Sequence, residues 1–323
     1  MAVPPLDRST IWPYEAGEPG SFYYSRYAHP AGEHAERELG RLEGGTALLF
    51  SSGAGATTAL VLALLAPGAT IAVGRGGYYG TPVLFDELAR WGLRQVEFDQ
   101  TGPPPDGVDL VWLEAPSNPM LTMPDIESAV GHEAKVVVDS TAATPVYLRP
   151  LERGADLVLH SATKFLSGHH DVLLGAVVAK DDADAARLRE FRGRTGITAS
   201  PDAAWLLSRS LKTLELRMLR HTDTANEIAR RLERHDAVEV VRYPGFGGLL
   251  SFDIAGGADA ARAFEQRLGR ILNATSLGGV TSTLEWRGRW EGDRVPPGLV
   301  RLSVGLEPIE ELWADLEQAL SSR

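Results

Sequence analysis

The sequence predicts an α/β protein built on a mostly parallel sheet covered by helices, with a smaller α+β unit toward the carboxyl end. Three observations carry this. Short apolar runs recur between residues 46 and 161, separated by helix-like or Gly/Pro-punctuated stretches, an alternation that calls for crossover connections and parallel pairing. One of them passes through a Ser-Gly turn straight into an apolar helix, LLFSSGAGATTALVLALL. Around 201–235 the pattern becomes one long helical stripe of Leu207, Leu211, Leu214 and Met218.

Taken in order, residues 1 to about 30 are rich in Pro, Gly and Tyr without a sustained period and read as an extended arm, able to reach another subunit. From Ala31 the positions Ala35, Leu39 and Leu42 recur at helical spacing until Gly44 and Gly45 stop the run, which predicts a short helix. Strands are predicted near 46–50, 69–73, 93–98, 109–113, 134–139 and 156–161. Beyond the long helical stretch, strands at 248–254 and 299–304 precede a closing helix striped with Ile309, Leu312, Trp313, Leu316 and Leu320. The expected organisation is an arm and short helix over 1–45, a large domain over 46–220 and a smaller one over 221–323.

Composition narrows the chemistry. A chain of 323 residues with 44% hydrophobic content can bury a large core. No apolar run approaches the roughly 20 residues that cross a bilayer, and the start, MAVPPLDRST, lacks the layout of a secretory leader. The expectation is a cytoplasmic protein with no membrane partner. Absence of cysteine removes disulfides, thiolate catalysis and cysteine-ligated metals. A net charge of -11 argues against nucleic acid as a partner, so any bound phosphate needs locally aimed donors.

The stretch DLVLHSATKFLSGHHD runs off a strand at Ser161 into Thr163 and Lys164. Ligands bind at the carboxyl edge of open α/β sheets, and a lysine there, flanked by hydroxyls and apolar residues, is placed for imine chemistry. Taken alone it is more often a surface lysine, but its companions reverse that reading. Asp139 ends another apolar strand, VVVDS, 25 residues before Lys164. Such a carboxylate can pair with a pyridine nitrogen and keep the ring of pyridoxal 5'-phosphate an electron acceptor, although alone it could equally cap a helix or bind a metal. Backbone N–H groups near Gly53 and Ala54 would face a phosphate at a helix's positive end. Gly53 and Gly55 also imitate a dinucleotide fingerprint, but Thr58 replaces the third glycine and the strand TIAVG ends without an acidic residue. Tyr78 in GGYYGTPVLF offers a ring for stacking, and Asn118 in EAPSNP offers an amide to a phenolate oxygen. A packed surface aromatic and a plain turn are the bland alternatives for these two. Arg301, on the apolar strand GLVRLSVGLE, needs an anion: a substrate carboxylate or an internal salt bridge. His169 and His170 lack metal-ligand spacing and read as loop residues, so no metal is expected.

These stretches, with YSR (24–26), VDSTAATP (138–145), LKTLELRM (211–218) and SLGG (276–279), resemble the pyridoxal-phosphate-dependent enzymes of Cys/Met metabolism, the cystathionine γ-synthase and γ-lyase family, from about Tyr24 to Glu307. The resemblance implies pyridoxal-phosphate fold type I, the aspartate aminotransferase-like fold. It implies that Lys164 carries the cofactor and shuttles protons, while Tyr78 stacks on the ring and assists. Asp139 and Asn118 would tune the ring, and Thr141 would join them in binding the cofactor. Gly53, Ala54, Ser161 and Thr163 would cradle the phosphate, with Tyr24 and Arg26 reaching in from a neighbouring subunit of a homotetramer made of paired dimers. Ser276 and Arg301 would hold the carboxylate of an amino-acid substrate.

The implied function is a lyase or transferase acting on sulfur amino acids or activated homoserine derivatives, by elimination or replacement at the γ- or β-carbon. Transamination, a specialised γ-replacement, and a catalytically silent cofactor-binding protein are the alternatives. Four positions depart from the family's pattern: His29 for Asn, Ala54 for Met, Gly80 where methionine γ-lyases carry cysteine, and Thr281 for Glu. The chain is also several tens of residues shorter than typical members, which leaves the reaction type less constrained than the cofactor.

Overall fold

Among the described residues, 4–321 of a computed structural model, seven strands make one sheet and five make another. Residues 1–3 of the expected arm and 322–323 of the expected C-terminal unit lie outside the described residues. The first sheet comprises β1 (Thr46–Phe50), β2 (Thr70–Gly74), β3 (Arg94–Phe98), β4 (Leu110–Glu114), β5 (Lys135–Asp139), β6 (Leu157–His160) and β7 (Gly175–Ala179). Their spatial order is β1-β7-β6-β5-β4-β2-β3. Strands β3, β2, β4, β5 and β6 run parallel, whereas β7 lies antiparallel to both β6 and β1. The central strands read as continuous apolar runs because helices cover both faces and no polar side can be exposed; Val111, Val137, Val158 and Val177 are all fully buried.

The second sheet holds β8 (Val238–Arg242), β9 (Leu249–Ile254), β10 (Leu272–Asn273), β11 (Thr283–Trp286) and β12 (Leu299–Ser303), in the order β10-β11-β12-β9-β8. It is antiparallel apart from the short β10–β11 pair. The helices Gly257–Arg267 and Ile309–Ser321 pack on it, with Phe264 against Phe252 and Leu316 buried in the same core.

Local chemistry fixes the helix ends. His29 caps the helix Pro30–Glu43 by accepting from Gly32 N–H at 3.0 Å, Pro30 opens it, and Gly44 closes it in the left-handed conformation (φ 82°). The expected long helical stretch is two helices, Pro201–Leu211 and Leu214–Leu232, separated by Lys212 and Thr213. Residue 220, where the sequence suggested a boundary, lies inside the second. The arm doubles back on itself through a bridge between Ile11 and Tyr24. It rests on the helix Pro201–Leu211, where Arg8 meets Asp202 at 2.6 Å and the Trp205 indole donates to the carbonyl of Pro4 at 2.9 Å.

Candidate active site

The carboxyl ends of β4, β5 and β6 deliver Glu114, Asp139 and the segment leading to Lys164 to one edge of the large sheet. A cavity of about 370 Å³ opens there. Gly53, Ala54, Tyr78, Asn118, Asp139, Thr141, Ser161, Thr163, Lys164, Ser276 and Arg301 all line it. Tyr24 and Arg26 do not. The Arg26 guanidinium lies over the Tyr27 ring at 4.6 Å and donates to the Gly193 carbonyl of its own chain.

At one end of the cavity, Ser52 caps the helix Gly53–Leu64 by accepting from Gly55 N–H at 3.0 Å. Gly53 and Ala54, first in the helix, line the cavity, and their amides have no helical acceptor. A Cβ on Gly53 would meet Ser161 Cβ at 3.0 Å, so glycine keeps this cradle open. Gly175, at the start of β7, allows a still closer approach, because a Cβ there would fall 2.0 Å from the Ser52 carbonyl oxygen.

At the centre, Lys164 Nζ donates to Ser276 Oγ at 2.7 Å. Burial, then the Arg301 charge, pull the Lys164 pKa down to about 8, with Glu285 opposing. Asp139 accepts from the N–H of Thr141 at 3.0 Å and from its hydroxyl. Thr141 Oγ1 in turn accepts from Ser161 N–H at 2.8 Å, which ties the ends of β5 and β6 together. Burial raises the Asp139 carboxyl, and the hydrogen bonds from Thr141 oppose the rise.

Two groups that sequence reasoning passed over belong to the same edge. Glu114 sits beside Asp139 in the β4–β5 register and accepts from Tyr78 N–H at 2.6 Å. Burial, reinforced by the Asp139 charge, pushes its carboxyl well above the usual range. Arg287 lines the cavity from just beyond β11, donating to Glu285 and Glu291 at 2.7 Å each. The segment TLEWRGRWEGDR reads in sequence as a solvated charged run, and only the strand alternation of Glu285 and Arg287 hinted at one shared face. Aromatic rings add to this edge: Tyr79, which lines the cavity, stacks on Trp290 at 6.3 Å and 4°. Burial raises the Tyr78 phenol, with Tyr79 next, while Arg287 and Arg301 pull the other way.

Arg301 donates to Asn118 Oδ1 and to the Ser276 carbonyl, each at 2.9 Å. Burial, then the neighbouring Arg287, bring its pKa down to about 9, against Glu285 and Glu291. His169 bonds the Ser167 carbonyl at 2.6 Å and His170 the Thr281 carbonyl at 3.4 Å, both within the loop region beside the lysine.

This arrangement fits pyridoxal phosphate: a buried amine of lowered pKa, a carboxylate at a strand end, and open amides at a helix start share one cavity. Comparison with known proteins agrees. A family described as "Cys/Met metabolism PLP-dependent enzyme" matches residues 1–321. A putative cystathionine gamma-lyase from Streptomyces coelicolor is 38% identical, covering 94% of this chain and 85% of its own. An L-methionine gamma-lyase from Pseudomonas deceptionensis is also 38% identical, over 95% of this chain and 87% of its own. The crystal structure of cystathionine gamma synthase from Xanthomonas oryzae in complex with cystathionine superposes with a TM-score of 0.94 at 34% identity, covering 99% of this chain and 92% of that one. The chain belongs to the pyridoxal-phosphate-dependent enzymes of Cys/Met metabolism.

Proposed function

We propose that the protein catalyses elimination or replacement at the γ- or β-carbon of a sulfur amino acid or an activated homoserine derivative. The observation that carries this is the single cavity in which the Lys164 amine meets Ser276 while Tyr78, Asn118, Asp139 and Arg301 line the same space. When bound, pyridoxal phosphate supplies an electron sink for negative charge formed at the substrate's α-carbon.

The chain's own groups do the rest. The Gly53 and Ala54 amides with Ser161 and Thr163 would hold the phosphate, Asp139, oriented by Thr141, would keep the ring nitrogen protonated, and Asn118 would meet the phenolate oxygen. Arg301, aided by Ser276, takes the substrate's α-carboxylate. Lys164 Nζ would move protons at the substrate's α- and β-carbons, and Tyr78, whose ring would stack on the cofactor, would serve as a second acid or base. Gly80 bears on substrate choice, because a Cβ there would stand 2.5 Å from Tyr78 Cε1, so the side chain that methionine γ-lyases carry would displace the Tyr78 ring.

The same reading places Tyr24 and Arg26 in a neighbouring subunit's site, within a homotetramer of paired dimers in the cytoplasm. The arm's separation from its own cavity supports this. Among the described residues no helix is long and apolar enough to cross a membrane. The division into 46–220 and 221–323 is part of the proposal, supported by the large sheet ending at Ala179 and the small one starting at Val238.

Purified protein should be yellow, and borohydride reduction followed by peptide mapping should mark Lys164. Cystathionine, methionine, homocysteine and O-acyl homoserines should then be screened for release of 2-oxo acid, ammonia and thiol. A 2-oxo acid formed without ammonia, thiol or other leaving group would favour transamination instead, the reading that Thr281 in place of Glu keeps open.

A further inference from the structure

Glu285 on β11 and Arg301 on β12 are cross-strand partners, and both are buried, at 2% and 4% exposure. Neighbours of this kind share a face of the sheet and ordinarily close into a short, two-pronged ion pair. These two do not. Glu285 Oε2 stands 3.4 Å from Arg301 Nη2 but 2.7 Å from Arg287 Nη1, and Glu285 Oε1 accepts from the Trp290 indole. Arg287 is itself fixed from the far side by Glu291 at 2.7 Å. Arg301 is therefore held mainly by two uncharged acceptors, Asn118 Oδ1 and the Ser276 carbonyl, and its buried Nε–H has no partner among the described residues.

We propose that Arg287 is a positioning residue: it draws Glu285 away from Arg301 and so leaves the Arg301 guanidinium available to a substrate carboxylate. This rests on the reading above that Arg301 takes that carboxylate. A buried carboxylate does not stay unpaired, because the desolvation cost is several kcal/mol. With Arg287 gone, the nearest cation to Glu285 Oε2 among the described residues is Arg301, at 3.4 Å; Arg289 stands 4.0 Å from the other oxygen and is already engaged by Glu265. Glu285 would then occupy the donors that the substrate needs.

The test is a titration of the holoenzyme with L-norleucine and L-2-aminoadipate, following the visible absorption of the bound cofactor. Neither has a leaving group, and only the second bears a distal carboxylate. Arg287→Met should weaken binding of both by about tenfold or more, the equivalent of at least one lost charge-assisted contact. Adding Glu285→Gln to that variant should return affinity to within about threefold of wild type, since the competitor has lost its charge. Glu285→Gln alone, which keeps an acceptor for Arg287, should tighten binding and remains informative if Arg287→Met does not fold. The inference is overturned if the double variant stays as weak as the single one, if Glu285→Gln weakens binding, or if the loss is confined to 2-aminoadipate, which would make Arg287 itself a contact for a distal carboxylate. Arg301→Lys separates the two levels. Unchanged affinity in that variant removes the carboxylate reading itself, whereas a loss there with none in Arg287→Met removes only the role of Arg287.

Discussion

Lys164 Nζ donates to Ser276 Oγ across 2.7 Å, and Ser276 reaches that position from a left-handed backbone with φ 84°. A non-glycine residue in that region is uncommon, and its strain is held by the surrounding structure. Ser276→Ala keeps the backbone but removes the acceptor. It should lower kcat/KM by about tenfold while leaving the reducible attachment at Lys164 intact. Equal loss of attachment and activity would show that the hydroxyl serves cofactor retention rather than turnover.

The depressed pKa of Lys164, about 8, sets a pH dependence for cofactor capture. Burial and the Arg301 charge disfavour the ammonium, so the reactive neutral amine grows as pH rises and is about one tenth of the total at pH 7. Reattachment of pyridoxal phosphate to cofactor-free protein should therefore accelerate with pH around a midpoint near 8. A midpoint close to 10.5 would contradict the buried setting of the amine.

Glu114 should make the protein less stable as pH rises. Its carboxyl is pushed well above the usual range in the fold, so the folded state keeps a proton that the unfolded chain releases above about pH 4.5. Stability linked to this group is fully present below that pH and declines by up to roughly 1.4 kcal/mol per unit as pH climbs toward the folded-state value. Glu114→Gln can still accept from Tyr78 N–H and has no proton to lose. Denaturant titrations from pH 5 to pH 8 should show wild type losing stability relative to the variant; parallel curves would place an ionised carboxylate at this position.

Arg217 fastens the lysine segment to the helix Leu214–Leu232. Its guanidinium donates to the carbonyls of Phe165 at 2.7 Å, Leu166 at 3.2 Å and Ser210 at 3.0 Å. Burial lowers its pKa to about 10, which still leaves it charged at neutral pH. Arg217→Met orphans the buried carbonyls of Phe165 and Leu166, while that of Ser210 keeps the Thr213 N–H and hydroxyl, and should cost ~3 kcal/mol, read as a fall in the denaturant midpoint. A change below about 0.5 kcal/mol would mean that water or rearrangement replaces the guanidinium at little cost.

The arm should act in trans. Arg26→Ala is expected to weaken cofactor retention with the fold intact, and mixing it with Lys164→Ala should restore activity through hybrid dimers. One site of each hybrid then has a normal arm and a normal lysine, so equal mixing gives about one quarter of wild-type activity. No recovery, with subunit exchange demonstrated by mass, would mean that the arm serves its own chain or no site.

Much of this architecture is legible in the chain because the central strands are buried on both faces. Val111, Val137 and Val158 belong to apolar runs whose lengths mark them as strands, and the polar residues that end them, Glu114, Asp139 and Ser161, fall at the ligand-binding edge. What stayed hidden depends on distant partners. β7, GAVVA, is too short and too uniform to show a period, and its place between β1 and β6 arises from pairing with segments far away in sequence. The break at Lys212 and Thr213 leaves Leu211 and Leu214 on one stripe, so periodicity runs through it. Glu285, Arg287 and Glu291 are charged types that ordinarily face water; their burial follows from mutual neutralisation, which no single residue announces.

The antiparallel β7 also imposes an order of events on the growing chain. Among the described residues β1 has β7 as its only strand neighbour, and β6 meets β1 only through it. Until Gly175–Ala179 has been synthesised, the strand that leads to Ser52 and Gly53 has nothing to pair with, although β2 to β6 can already assemble beside one another. A nascent chain halted before Gly175 thus carries Lys164 and Asp139 on a nearly complete sheet, with the Ser52–Gly53 turn proposed to seat the phosphate still unanchored. On the proposed reading, the helix start that would meet the phosphate takes its place in one step, with the strand laid between the first and the sixth.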